Sequence, residues 1–303
     1  MFGKNFKFYI IAPIVIIIEA IIVGLACGGF NLGLDFTGGT LITVDMGTTF
    51  DSEEVRKIID GMDEVTGSVS VVTGGSDGNL ALIKIQNTEA NAADEELAIN
   101  IENKLSETWP KAEFSNIESV GATASGTLIL NAFLSVVIAC VLMLVYITIR
   151  FQLFSAIGAI VALVHDVLIM CAAMCIFRTT LDSTFIAACL TIVGYSINAS
   201  VIIFDRIREN IRLYGYKKEY TPDKIAVMSV KESLGRTINT TVTTLVMIGV
   251  LYILGVNAIR IFALPIIVGI ISGTFSSMII APGIWVLLVK KFGLKKRSKK
   301  SVK

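Results

Sequence analysis

The chain has 303 residues, a mean hydropathy of +0.75, 54% hydrophobic and only 17% charged residues, against about 25% charged in a soluble domain. That composition, with apolar runs of roughly twenty residues, excludes a single water-soluble globule. The net charge of +1 conceals a division: residues 28–127 hold 17 acidic and 5 basic side chains, a net of −12, and the rest of the chain carries +13. The basic residues flank apolar spans instead of gathering on a compact domain, so the chain carries no nucleic-acid signature.

Hydropathy over windows of about 19 residues predicts six membrane-spanning helices, at 9–27, 128–149, 153–177, 184–205, 237–256 and 262–289. Each is long enough for roughly 30 Å of hydrocarbon at 1.5 Å per residue. Lys4, Lys7, Arg150, the eight basic residues from Arg206 to Arg236 and eight more in the tail fall on one side of the membrane. The short loops opposite hold only Arg178 and Arg260. Positive charge stays inside, so both termini are expected in the cytoplasm and the acidic segment outside. The expected division is 1–27 for the N-terminus and first helix, 28–127 for an extracytoplasmic domain, 128–289 for helices two to six, and 290–303 for a basic tail that attracts anionic lipid. The first apolar stretch is too long for a signal-peptide core and no A-x-A site follows it, so it reads as an uncleaved helix.

Within the acidic segment, 40–46 reads as a strand and 51–62 as a helix capped by Asp51 or Ser52. Strands follow at 68–73 and 80–86 around a Gly-rich turn, then a helix at 91–107 and a strand at 112–120. The order β-α-β-β-α-β is that of a ferredoxin-like module. It has no His and no Cys, and its carboxylates lie mostly on helices, so a docking surface is expected rather than an acid–base site. The expected fold is therefore an α-helical membrane protein of six spans with a ferredoxin-like α+β domain between the first and second. The five cysteines (Cys27, Cys140, Cys171, Cys175 and Cys189) sit in or beside spans, which argues against a disulfide framework. Cys171 and Cys175 share a helix face without His or carboxylate partners, so no metal site is expected.

Four segments in order carry a resemblance: Gly33 to Thr40 (GLDFTGGT), Ala162 to Leu168 (ALVHDVL), Gly194 to Asn198 (GYSIN) running into Phe204 to Asn210 (FDRIREN), and Leu234 to Thr241 (LGRTINTT). Together they resemble the smaller membrane subunit of the SecD/SecF protein-export family, over about residues 30–285. The resemblance implies half of an RND-type transporter without a cofactor. It also implies pairing with a SecD-like subunit, the Sec channel and its translocating polypeptide as further partners, and use of the proton or sodium gradient in the bacterial cytoplasmic membrane. Many family members carry Asn-Asp in the fourth span; this chain has Asn198-Ala199, so the coupling role of that carboxylate does not transfer.

The residues that carry this chemistry each have a plainer reading. An ionisable group at bilayer depth costs roughly 2.5–3.5 kcal/mol by insertion scales, which makes Asp166 either an ion-coupling group or a hydrogen-bonded strut. His165 adjoins it but lies about 100° around the helix, as a packed histidine or a proton carrier. Arg236, with Thr240, Thr243 or Thr244 and Met247 on its face, forms a polar stripe between helices or snorkels to the interface. Asn198, with Ser196 and Ser200, offers polar groups opposite, including a carbonyl oxygen for Na⁺. Asp35 is expected to cap or hydrogen-bond a turn, with Gly38 and Gly39 permitting positive φ. Asp205 and Arg206 read as ion-paired anchors at the cytoplasmic surface. Glu19 sits in the first span, facing a polar seam or neutral in lipid. Gly269, Gly273, Ser277 and Ala281 form a small-residue face for close helix packing. Competing functions are half of a small-molecule or lipid exporter, disfavoured by one small outer domain and six spans, and a passive scaffold of the Sec channel, which dependence on an ion gradient would separate. No nucleophile–base, metal or nucleotide motif points to an enzyme.

Overall fold

The computed structural model describes residues 14, 17–19, 21–24, 29–62, 65, 69–74, 78–85, 94–120, 122–214 and 219–293. The chain divides into two compact units: residues 31–134 with 180–183, and residues 1–30, 135–179 and 184–303. Of the span expected at 9–27, residues 14, 17–19 and 21–24 are helical; the rest lies outside the described residues, as do Cys27 and the tail beyond 293.

The first unit opens with a one-turn helix α1 (Leu34–Thr37), then β1 (Gly39–Asp45), α2 (Ser52–Asp60), β2 (Val69–Gly74), β3 (Leu80–Ile85), α3 (Asp94–Ser106) and β4 (Glu113–Val120). The sheet is antiparallel with order β2-β3-β1-β4, as the ferredoxin-like reading expects. Period-two alternation turns Ile42 and Val44 of β1, with Ala81, Ile83 and Ile85 of β3, onto one face. Against them α2 lays Val55 and Ile59, one turn apart, and α3 lays Leu97, Ala98, Ile101 and Leu105. The carboxylate of Asp51 accepts the backbone N–H of Glu53 at 2.9 Å, filling one of the donors that a helix start leaves open. Half-buried Lys84 donates to the carbonyl of Leu32 at 2.9 Å, and burial lowers its pKa from the ordinary lysine value.

The remaining helices are α4 (Ala122–Arg150), α5 (Leu153–Ile176), α6 (Ser183–Tyr214), α7 (Pro222–Leu254), α8 (Asn257–Phe275), a π-helical turn (Ser276–Ile280) and α9 (Ala281–Phe292). Among the described residues, five stretches are long and apolar enough to cross a membrane, the fifth joining α8, the π turn and α9. Two depart from expectation. The fifth span was expected from residue 237, but α7 starts at Pro222, where Thr221 caps it through Lys224 N and Pro occupies its first position. The added turns bury Ile225, Ala226, Ser229, Val230 and Ser233, an amphipathic stretch that a hydropathy window averages away. The sixth span is interrupted because the ring of Pro282 has no N–H and crowds the carbonyl four residues before it; the widened turn just upstream absorbs this, with Ala281 N bonding Ser276 O.

The bundle core gathers Leu163, Ile197, Ile203, Phe204, Trp285 and their neighbours. Gly158 of α5 meets the backbone where the π turn ends: a Cβ there would lie 2.6 Å from the Ala281 carbonyl oxygen and 3.2 Å from the Phe204 ring. Gly158→Ala should therefore destabilise the bundle by about 1–3 kcal/mol, the usual cost of overpacking. Thermal unfolding followed through the fluorescence of buried Trp285 reads this as a lowered midpoint; an unchanged midpoint would show that α5 and α9 part freely.

Candidate functional site

Among the described residues, a cluster of polar atoms inside the bundle is built around Asp166, which is fully buried. Its Oδ2 accepts the Ser196 hydroxyl of α6 at 2.6 Å and the Ser276 hydroxyl of the π turn at 2.8 Å. Its Oδ1 accepts the Ser272 hydroxyl of α8 at 2.8 Å, and His165 Nδ1 lies 3.0 Å from the same oxygen. The adjacent His and Asp thus meet, although their Cα–Cβ directions diverge by about 100°. No Lys or Arg among the described residues pairs with Asp166. A buried carboxylate costs far less once its lone pairs are filled, and here hydroxyls from three segments fill them. Gly273 leaves room for this packing, since a Cβ there would stand 3.4 Å from Asp166 Oδ2 and from Ser196 Cβ. The Ser196, Ser272 and Ser276 side chains are themselves buried.

Arg236 and Thr240 do not join this cluster. Both are exposed on α7, and Thr240 donates to the Arg236 carbonyl at 2.7 Å. The inward face of α7 belongs to Thr237 and Thr241, and Thr241 meets Thr274 at 2.9 Å and Tyr195 at 3.4 Å. Asn198 is also exposed, whereas Ser196 and Ser200 on the same helix are buried, so the polar residues of the GYSIN segment face two ways. Ala199 is buried.

The FDRIREN segment ties helix ends together. Arg206 Nε donates to Glu232 of α7 at 2.7 Å and Nη1 to Glu209 at 2.5 Å. Asn210 donates to Glu232 at 2.7 Å and to Ser229 at 2.9 Å, and Asp205 stands 4.0 Å from Arg150 of α4. In the other unit Gly33 to Gly39 forms a hook. Asp35 Oδ2 accepts the backbone N–H of Ser183, the first residue of α6, at 2.9 Å. Gly33 N donates to Leu181 O at 2.6 Å. Gly38 and Gly39 take φ of 67° and 112°, values that disfavour any side chain, and turn the chain into β1.

Sequence reasoning singled out Asp166, His165 and Ser196 but missed Ser272, Ser276, Ser229 and Glu232. Two serines four residues apart inside an apolar span were the available signal, and the small-residue face read in that span, Gly269, Gly273, Ser277 and Ala281, passed over both. Among the described residues no group of His, Cys, Asp and Glu is placed to hold a metal, and among them Cys140, Cys171 and Cys189 are free thiols.

A bundle of long apolar helices that seals a carboxylate behind hydroxyls, attached to a small antiparallel α+β module, is the build of a multi-pass membrane protein of the transport class. Comparison with known proteins makes this specific. The family described as protein export membrane protein SecD/SecF, C-terminal, matches residues 100–291, and the SecD/SecF GG motif matches residues 28–49. Relatives include the protein translocase subunits SecF of Cereibacter sphaeroides, 36% identical over 97% of this chain and 93% of its own length, and of Calditerrivibrio nitroreducens, 36% identical over 97% and 94%. The crystal structure of SecDF from Thermus thermophilus matches with a TM-score of 0.80 at 30% identity over 95% of this chain, which spans 38% of that SecDF chain. The chain belongs to the SecD/SecF family of protein-export membrane proteins, on its SecF side.

Removing any one hydroxyl from the cluster should cost about 1.5–3 kcal/mol, the range for a hydrogen bond to a charged group. Ser196→Ala, Ser272→Ala and Ser276→Ala should each lower the unfolding midpoint, and Asp166→Ala should cost less in the triple-alanine background than alone, because no hydroxyls are then left unpaired. Strict additivity of the four changes would mean that the cluster does not act as a unit.

Proposed function

We propose that this chain is one half of a two-part transporter in the bacterial cytoplasmic membrane, pairing with a SecD-like subunit and using the proton or sodium gradient to promote passage of polypeptides through the Sec channel. The observation that carries the reading is the exposure of Arg236, Asn198 and Thr240 on spanning helices, with no ion-pair partner for Arg236 among the described residues. Apolar side chains exposed along α4 and α7 are at home in lipid, but a guanidinium and a carboxamide are not. A partner helix with complementary polar atoms is what such a face requires. Positive charge concentrated in the 206–236 segment and the tail supports cytoplasmic termini and an outer position for the acidic module, with domain limits at 27/28, 127/128 and 289/290. The outer module serves as a docking surface, and the chain acts as a transport component rather than an enzyme.

In this scheme Arg236 faces a carboxylate of the partner, and Thr240 and Asn198 line the polar seam between the halves. Asp166 stays within this half, and Asp35, Gly38, Gly39, Asp205 and Arg206 hold its architecture. Arg236→Ala should remove gradient-dependent export while the two subunits still co-purify in a fixed ratio. Export from vesicles under separately imposed proton and sodium gradients measures this, and parental rates under both would refute the role of Arg236. Deletion of residues 41–119 should leave membrane insertion intact and impair export of several secreted proteins; normal export would refute the docking role.

A further inference from the structure

We propose that His165 and Asp166 together form a proton-binding site inside the bundle, with Nε2 of His165 as the atom that takes the proton. The inference rests on the transporter reading but adds the coupled ion and the atom that carries it. Asp166 receives hydrogens from Ser196, Ser272 and Ser276, and His165 Nδ1 stands at 3.0 Å from its Oδ1. An ionised carboxylate has about four acceptor sites and no hydrogen of its own. It therefore requires Nδ1 to bear the hydrogen, which in a neutral imidazole leaves Nε2 with a bare lone pair. Nε2 is buried and has no hydrogen-bond partner among the described residues. That bare lone pair, close to a buried negative charge, is the basic atom at which a proton can be added.

Charge completes the argument. With Nε2 bare the pair carries −1 inside the bundle, and no Lys or Arg among the described residues pairs with it. A proton delivered by hydronium, which leaves as water, adds to the Nε2 lone pair and makes imidazolium beside carboxylate, formally neutral, with both Nδ1–H and the serine hydroxyls still donating. Among the described residues, the elements packed around the pair do not offer competing charge. α6 presents Ser196, α8 presents Ser272 and Phe275, whose ring centre is 6.1 Å from the imidazole, and the π turn presents Ser276. α9 carries Lys290 and Lys291 only in its last turn, about 15 Å or more along the helix from the end of the π turn at 1.5 Å per residue. Sodium fits less well, because a cation on Asp166 would have to displace hydrogens that already occupy the carboxylate oxygens.

His165 is the only histidine in the chain, so ring-15N-histidine labelling of the full-length protein, purified through a tag without histidine and placed in lipid nanodiscs, yields one imidazole to observe. The expected spectrum shows hydrogen on Nδ1 and a bare Nε2 at high pH, converting to the doubly protonated ring as the pH is lowered. Exchanging sodium for potassium should not alter it, and Asp166→Asn should abolish the Nδ1–H preference. A ring held in the Nε2–H tautomer, a single charge state at every pH at which the protein stays folded, or a spectrum that responds to sodium would overturn the proposal. This readout does not involve export, so its failure leaves the transporter reading standing. In export vesicles His165→Gln should fall to the rate seen without a pH gradient, with assembly checked by co-purification and Trp285 fluorescence; the parental rate would also overturn it.

Discussion

A negative charge inside a bundle of apolar helices is the constraint to which the neighbouring choices answer. Nothing in hydrocarbon will fill the lone pairs of a carboxylate, so the protein must supply hydrogens from within. Asp166 obtains them from α6, α8 and the π turn, and that fixes how each segment is rotated about α5. Ser196 must point inward, which turns Asn198, two residues on, outward. Ser272 and Ser276 must face α5, and the residue between them on that face must be small. Gly273 fills that place, and Gly269, one turn earlier, admits Ile192 and Met170 where a Cβ would lie 2.5 and 2.8 Å from them. Close packing and carboxylate solvation are thus one requirement, met by the same residues.

The π turn belongs to the same logic. Pro282 compels a local change in hydrogen bonding, and the change begins at Ser276, a carboxylate donor. Ser276 also lies 3.3 Å from the Gly273 carbonyl, so its hydroxyl has an acceptor on either side. Such wide turns occur frequently at functional sites, because they allow a side chain to leave the register of a regular helix without breaking it.

The sequence shows architecture more readily than it shows the site. Ferredoxin-like order was legible because Ile42, Val44, Ile83 and Ile85 alternate, and because Val55 and Ile59 repeat at helical spacing; local periodicity reports the buried face directly. Five of the six expected apolar helices were legible from hydropathy, although the start of α7 was not, since its first turns mix Lys224, Lys231 and Glu232 with buried Ile225 and Val230. Asp166 announced itself as a charge in an apolar run. Its donors did not, because a serine in a spanning helix satisfies itself equally well on its own backbone, as Thr240 does on Arg236, and only tertiary rotation decides which it does. The direction of Arg236 was likewise hidden: its stripe was read as lining a seam, and within this chain that seam lies open while Thr237 and Thr241 take the interior.

The GLDFTGGT segment shows how a motif can be read as geometry. Leu32 bridges Leu181 in parallel register, which brings residue 33 so near the 180–182 backbone that a Cβ would stand 2.9 Å from the Leu181 carbonyl oxygen. Position 33 therefore tolerates glycine alone without a shift. From there α1 makes a single turn and presents the Asp35 carboxylate to the Ser183 N–H, one of the donors that the start of α6 cannot satisfy internally. A negative charge is favoured at that end of a helix by its dipole as well. The chain must next reverse into β1, and two successive residues with positive φ achieve this within one step. Each glycine and the aspartate thus answers a separate demand of one small hook, which joins the start of β1 to the first residue of the helix that carries Ser196.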